Sequence, residues 1–314
     1  MQVAANGLTF DVEQRGERTA PAVLLIMGLA MPAAAWPDEF IDRLLGHGLR
    51  VIRFDNRDCG GSSRVRSVRR QNLQLALTRA LFRLPVHAPY ALEDMARDAA
   101  GVLDALAIAR AHIVGASMGG MIAQVLAARM PQRVASLTSI MSSSGNPSPR
   151  VALGRPRALR VLLQRPGRIG DIEAATERLM HVFGVIGSPG FRAEPQALRE
   201  HMRRVARRGF DPAGAERQLL AILASGDRRE LLAHIKAPTL VIHGANDPLV
   251  PVAAGIDTAR HIRGAQLMII PGMGHDFAPS LQPMLADSIA AHVRRASIAR
   301  ETDAAPGAPN AALA

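Results

Sequence analysis

Six short segments dominated by apolar residues set the strongest constraint on how this chain folds. The segment AVLLIM (22–27) has strand length and no alternation of apolar and polar residues, which indicates burial on both faces. Helical patterns such as ALEDMARDAAGVLDALAI (91–108) lie between these segments. Strands that alternate with helices predict an α/β fold with a doubly wound, mostly parallel sheet. The other predicted strands are LRVIRF (49–54), HIVGA (112–116), VASLTSIM (134–141), PTLVIHG (238–244) and AQLMIIPG (265–272).

The remaining segments define the domain organisation. Asn6-Gly7 predicts a hairpin between two N-terminal strands. Residues 1–145 and 235–296 form the predicted core, which carries an arginine-rich insertion at 64–90. Residues 146–234 form a second insertion, with helical patterns and no strand signal. The tail at 297–314 is rich in small residues and proline, and it is predicted to be disordered.

Composition excludes several function classes. The net charge of +11 comes almost entirely from scattered arginines, and only 3% of the residues are aromatic, so we expect no nucleic-acid binding. Cys59 is the only cysteine and cannot form an internal disulfide, which is typical of a reducing compartment. The sequence shows neither a signal-peptide pattern nor an apolar run long enough to span a membrane. We therefore expect a cytoplasmic protein.

A Gly-x-Ser-x-Gly motif lies between a predicted strand and a predicted helix. Its residues are Gly115, Ser117 and Gly119. A serine at such a sharp turn adopts a strained backbone, and glycine two positions away on each side removes steric clashes. Ser117 is therefore the predicted nucleophile.

A serine hydroxyl needs a base, and His275 is the best placed of the 10 histidines. It follows a predicted strand and precedes the last helix, and functional loops of such sheets lie at the carboxyl ends of strands. Most other histidines fall in predicted helices. His243 also ends a strand, but it lies too close in sequence to the predicted acid to be oriented by it.

Asp247 is the predicted acid that orients the histidine. It follows the predicted strand PTLVIHG (238–244), although Asn246-Asp247-Pro248 is also a good turn sequence. The order of nucleophile, acid and base along the chain fits the hydrolase pattern.

Attack on an ester also requires two donors for the developing oxyanion. The backbone N–H of Met118, directly after the nucleophile, is one predicted donor. The backbone N–H of Leu29 is the other, because Gly28 lets the loop after the first buried strand approach closely.

The run Asp55-Asn56-Arg57-Asp58 invites comparison with a metal site. Alternating charges after a strand more often form an internal ion-pair network that shapes a loop. No histidine–cysteine spacing suggests zinc. We therefore predict no metal.

The chain resembles the esterase and lipase branch of the α/β-hydrolase superfamily up to about residue 296. The segments that carry the resemblance include LLIMGLAMPAAAWPDEF (24–40), VIRFDNRDCGGSS (51–63) and HIVGASMGGMIAQ (112–124). It is similar to aclacinomycin methylesterase-like enzymes and to actinobacterial esterases. The resemblance implies a helical cap at 146–234, no cofactor, and the roles given above for Ser117, Asp247, His275, Leu29 and Met118.

Hydrolysis of a small-molecule carboxylic ester through an acyl-enzyme is the predicted function. Carbon–carbon bond hydrolysis or cofactor-free perhydrolysis with the same triad, and ligand binding without catalysis, remain alternatives. A lipase at a membrane surface is another, because Leu73, Leu77, Leu81 and Leu84 recur at helical spacing beside arginines. We expect this stripe to pack onto the inserted helices instead.

Overall fold

The computed structural model describes residues 1–65, 72–164 and 170–304. Within these ranges one sheet contains the strands β1 Gln2–Ala5, β2 Leu8–Arg15, β3 Ala22–Ile26, β4 Arg50–Phe54, β5 Ala111–Ala116, β6 Val134–Ile140, β7 Thr239–Gly244 and β8 Gln266–Ile270. Their order across the sheet is β1-β2-β4-β3-β5-β6-β7-β8. β1 and β2 pair antiparallel, as do β2 and β4, whereas β4, β3, β5, β6, β7 and β8 run parallel. This confirms the predicted α/β fold.

The helices on the two faces of the sheet and in the inserted segment are α1 Asp38–Gly46, α2 Leu73–Leu81, α3 Leu92–Ala105, α4 Met118–Arg129, α5 Pro149–Ala152, α6 Pro156–Leu163, α7 Ile172–Ile186, α8 Pro195–Arg207, α9 Pro212–Ser225, α10 Arg229–Leu232, α11 Val252–His261 and α12 Gln282–Ala304.

Strand β3 is buried on both faces, which explains why apolar and polar residues do not alternate in its sequence. Leu24 and Ile26 belong to the core beneath α3 and α4, while Val23 and Leu25 belong to the core beneath α1 and α12.

The inserted helices, α5 to α10, lie between β6 and β7. In the described residues of this segment every regular element is a helix. Three of these helices begin with a carboxylate that accepts a hydrogen bond from a backbone N–H of the first turn, which satisfies one of the free donors there. These residues are Asp171 of α7, Glu194 of α8 and Asp211 of α9.

The prediction for the C-terminal tail needs correction. Disorder from residue 297 is wrong as far as Ala304, because α12 continues to that residue through SIARETDA, which contains neither proline nor glycine. Residues 305–314 of the predicted tail lie outside the described residues. Within the ranges that are described, no helix combines the length and apolar character needed to cross a bilayer.

The leucine stripe of the 64–90 insertion packs only in part. Leu73 and Leu77 are half-buried where α2 meets α9, but Leu81 and Leu84 are 72% and 50% exposed. The helix ends at Leu81, and Arg83 takes a positive φ of 57°. The chain therefore leaves the helical path before Leu84. Residues 66–71 of the same insertion lie outside the described residues.

A buried ion pair joins α3 to the loop after β4. Arg57 Nε donates to Asp98 Oδ2 at 2.6 Å, and both side chains are almost fully buried. Burial raises the pKa of Asp98, and the hydrogen bonds from Arg57 and Asn6 oppose that rise. The loop after β4 is thus anchored by a charge pair that solvent does not screen.

We predict that Asp98→Ala lowers the free energy of unfolding by about 3–5 kcal/mol, because it leaves the Arg57 charge buried without its partner. Asp104→Ala, on the same helix, is the matched control. Asp104 is 66% exposed in its pair with Arg133, so its loss is worth less than about 1 kcal/mol. Urea denaturation of both variants measures the difference, and equal values would refute the role assigned to the buried pair.

Candidate active site

Ser117 lies at the sharp turn between β5 and α4. Its backbone has φ 55° and ψ −119°, a strained conformation for a residue with a side chain. A Cβ at Gly115 would lie 2.1 Å from the carbonyl oxygen of Gly119, and a Cβ at Gly119 would lie 1.9 Å from that of Ile26. Both predicted glycines are therefore required for the turn to form.

A continuous chain of hydrogen bonds links Ser117 to His275 and Asp247. His275 Nε2 lies 3.0 Å from Ser117 Oγ, and His275 Nδ1 lies 2.7 Å from Asp247 Oδ2. Asp247 and His275 are both buried, in the loops after β7 and β8. The parallel sheet thus brings together three residues that are distant in sequence.

This arrangement fixes the protonation of the imidazole. The carboxylate can only accept a hydrogen bond, so Nδ1 carries the proton and donates it to Asp247. Nε2 is then free to accept the hydroxyl hydrogen of Ser117.

Asp247 also fulfils the turn role that its sequence context indicates. Its Oδ1 accepts hydrogen bonds from the backbone N–H groups of Leu249 and Val250, both at 2.9 Å. One oxygen thus shapes the loop while the other receives the histidine N–H. These bonds hold the carboxylate in a fixed orientation.

His243 occupies a different position from His275. Its Nε2 lies 2.9 Å from the Val250 carbonyl oxygen and 3.6 Å from Asp247 Oδ2. Burial lowers the pKa of His243, so it is neutral and donates to that carbonyl. It supports the loop that carries Asp247.

The predicted oxyanion donors lie on two sides of Ser117. Met118 is the first residue of α4, where a backbone N–H has no acceptor within the helix and the positive end of the helix dipole lies. A Cβ at Gly28 would lie 3.2 Å from Ser117 Cβ and 3.7 Å from its Oγ. The backbone next to Leu29 therefore passes directly beside the Ser117 side chain.

Residues 27–30 form the loop that carries the candidate donor Leu29, and we call it the oxyanion loop. Two side chains that were not predicted to belong to the site hold this loop. Asn56 Nδ2 donates to the Met27 carbonyl at 2.9 Å, and Gln218 Oε1 accepts from the Ala30 N–H at 2.7 Å. Asn56 belongs to the run already expected to shape a loop. Gln218 lies on α9, 188 positions after Ala30 in the sequence. No local sequence pattern around Gln218 predicts a contact with the oxyanion loop.

The run 55–58 forms the internal ion-pair network that its alternating charges predict. Arg217 Nη2 donates to Asp58 Oδ1 at 2.7 Å, and Arg208 Nη2 donates to Asp55 Oδ2 at 2.8 Å. Tyr90 also donates its hydroxyl hydrogen to Asp58, at 2.7 Å. In the described part of the chain, no three His, Cys, Asp or Glu side chains are grouped as ligands for a metal ion.

The C-terminal end of α7 and Ser188 just after it contact the loop that carries the histidine. The backbone N–H of His275 donates to the Ile186 carbonyl at 2.7 Å, and that of Gly274 donates to Ser188 Oγ at 2.8 Å. Ser188 in turn donates to Asp276, whose pKa is raised by burial. The end of this inserted helix thus holds the backbone of the loop that carries the imidazole.

Comparison with known proteins gives the same fold across most of the chain. The profile of the alpha/beta hydrolase fold family matches residues 21–278. Rhodomycin D methylesterase DauP of Streptomyces sp. (strain C5) is 30% identical over 94% of this chain and 98% of its own length. A 2-hydroxy-6-oxononadienedioate/2-hydroxy-6-oxononatrienedioate hydrolase of Paraburkholderia xenovorans (strain LB400) is 30% identical over 86% of this chain and 87% of its own.

A solved structure also has a similar three-dimensional fold. The meta-cleavage product hydrolase CumD of Pseudomonas fluorescens IP01 superposes with a TM-score of 0.71. The two chains are 20% identical, and the match covers 94% of this chain and 98% of the other. At this identity the match shows a shared fold.

Proposed function

The chain belongs to the alpha/beta hydrolase fold family, and we propose that it is a serine hydrolase that cleaves a small-molecule carboxylic ester. The observation that carries the proposal is the hydrogen-bonded chain from Asp247 through His275 to Ser117. Such a chain activates a hydroxyl that is otherwise a poor nucleophile. Similarity to a methylesterase over nearly the whole chain supports an ester as the substrate.

In the acylation step, Ser117 Oγ attacks the ester carbonyl carbon while its proton passes to His275 Nε2. The negative charge that develops on the carbonyl oxygen is stabilised by the N–H groups of Met118 and Leu29. Collapse of the intermediate breaks the bond to the alcohol oxygen, which takes the proton from His275. The acyl group remains on Ser117.

In the deacylation step, a water molecule gives a proton to His275 and attacks the acyl carbon. The second tetrahedral intermediate uses the same two donors. Its collapse releases the carboxylic acid, and the proton returns to Ser117. Asp247 stabilises the imidazolium formed in both steps.

We assign the inserted helices, within residues 146–234, as the cap over the site. This assignment is supported by the hydrogen bonds that these helices and their connecting residues make with both the oxyanion loop and the loop that carries His275. A cap in this position would exclude water and set the shape of the acyl and alcohol groups that enter. The core is then 1–145 and 235–296, with α12 extending beyond it.

Carbon–carbon bond hydrolysis is the main alternative, because relatives named as 2-hydroxy-6-oxononadienedioate hydrolases also match this chain. Turnover of p-nitrophenyl acetate and butyrate compared with that of a vinylogous diketone separates the two reactions. The proposal expects the esters to have the higher kcat/KM.

We predict that Ser117→Ala lowers kcat for p-nitrophenyl butyrate by about 10⁴-fold or more, because the nucleophile is lost. Ser297→Ala is the matched control, since Ser297 lies on α12 and its hydroxyl donates to the Val293 carbonyl within that helix. The control is expected to keep wild-type turnover. If purified Ser117→Ala kept a tenth of wild-type activity, the assignment would be wrong.

The exposed end of α2 favours a second candidate, an esterase that acts at an anionic lipid surface. Leu81, Phe82 and Leu84 are exposed together, and Arg83 lies exposed between them. Apolar side chains beside a cation are typical of segments that insert into the headgroup region. The charge of +11 on the chain would strengthen attraction to anionic lipid.

This second candidate predicts that the protein sediments with phosphatidylglycerol vesicles and not with phosphatidylcholine vesicles. Phe82→Glu should then weaken binding at least about 10-fold while turnover of a soluble ester stays unchanged. Met284→Glu, at an exposed apolar position of α12, is the control and should bind like the wild type. Absence of binding to the anionic vesicles would eliminate this candidate and leave the proposed esterase in place.

A further inference from the structure

Gln218 joins one inserted helix to two loops of the core. It lies on α9, its side chain is completely buried, and both ends of its amide are used. Oε1 accepts from the Ala30 N–H, and Nε2 donates to the Arg57 carbonyl, each at 2.7 Å. A fully buried amide with a specific partner at each end has a fixed orientation.

The rest of α9 is also fixed against the core. A Cβ at Gly214 would lie 2.3 Å from the Asp58 carbonyl oxygen, so only glycine allows the helix to come this close. Arg217 donates two hydrogen bonds to the Asp58 carboxylate, at 2.7 and 2.9 Å. Such bidentate pairs fix distance and angle together. Gln218, the next residue, therefore reaches the oxyanion loop from a rigid base.

Side chains from outside the oxyanion loop hold the two peptides that flank the one carrying the candidate donor. Asn56 binds the Met27 carbonyl, which belongs to the peptide joining Met27 to Gly28. Gln218 binds the Ala30 N–H, which belongs to the peptide joining Leu29 to Ala30. The peptide between them joins Gly28 to Leu29, and it carries the N–H proposed as an oxyanion donor.

The direction of that N–H follows from its own carbonyl. The Gly28 carbonyl accepts a hydrogen bond from the Met31 N–H at 3.3 Å, and in a trans peptide the N–H points the opposite way from the carbonyl. Ala30 has a positive φ of 58°, which costs energy for a residue with a Cβ. The loop thus needs an external partner to stay in this conformation.

We propose that Gln218 is a positioning residue that sets the Leu29 N–H for the oxyanion, an inference that rests on the proposed function. Without the amide, the Ala30 N–H loses its acceptor and the peptide beside the donor is free to rotate. The transition state then loses part of the stabilisation from Leu29, whereas the ground-state ester, which needs this donor less, binds as before. The helix that covers the site thereby also completes its catalytic geometry.

The test compares Gln218→Met with Gln218→Glu. Methionine has a similar volume but no acceptor, and we expect kcat for p-nitrophenyl butyrate to fall about 10–100-fold with KM nearly unchanged. Glutamate keeps an acceptor for Ala30, and as the neutral acid that burial favours it also has an O–H to donate to the Arg57 carbonyl, so it should recover a substantial part of kcat. A role in packing alone predicts the reverse order, because an apolar side chain is tolerated better than a carboxyl group at a buried site.

Gln124→Met is the matched control. Gln124 is also a completely buried glutamine, on α4, and its amide donates to Ser139 rather than to the oxyanion loop. It should lose stability and keep kcat within about threefold of wild type. If Gln218→Met is folded and keeps wild-type kcat, or if it is more active than Gln218→Glu, the inference fails while the proposed function stands. An inactive wild-type protein would instead refute the proposed function.

Discussion

The close approach of three backbone segments at Ser117 is the constraint on which the rest of the site depends. The loop after β3, the turn after β5 and the first turn of α4 meet with no space for an additional carbon at Gly115 or Gly119. Gly28 completes the same contact from the oxyanion loop. A parallel sheet makes this convergence possible, because the carboxyl ends of neighbouring strands lie at one edge. Ser117 and the candidate oxyanion donors are thus fixed by backbone packing.

The inserted helices belong to this site as much as the sheet does. The end of α7 and Ser188 just after it bind the backbone of His275 and Gly274, and α9 binds that of Ala30. The inserted segment therefore holds both the loop that carries His275 and residues 27–30. The inserted helices therefore do more than exclude solvent. A shift of α7 or α9 would alter the distances among Ser117, His275 and residues 27–30.

Local sequence patterns predicted most of the fold and the three residues that the structure joins in one hydrogen-bonded chain, because each depends on a signal within a few positions. Apolar runs marked the parallel strands, including the largely exposed edge strand β8, and the turn at Ser117 needs glycines that the motif displays. Gln218 could not be predicted, since its partners lie far away in sequence and its own helix gives no hint of them. The exposed Leu81 was missed because periodicity does not show where α2 ends. The structure therefore differs from the sequence predictions where loop conformation or contacts between distant residues decide the outcome.

Stoichiometric labelling with a fluorophosphonate probe is the sharpest test of Ser117 as the nucleophile, because only a serine activated by its histidine reacts rapidly with it. Intact mass and peptide mapping would be followed together with the turnover of p-nitrophenyl butyrate. We expect one label per chain, on Ser117, and loss of turnover in proportion to labelling. A label on another residue, or full labelling of Ser117 with turnover unchanged, would show that Ser117 is not the nucleophile.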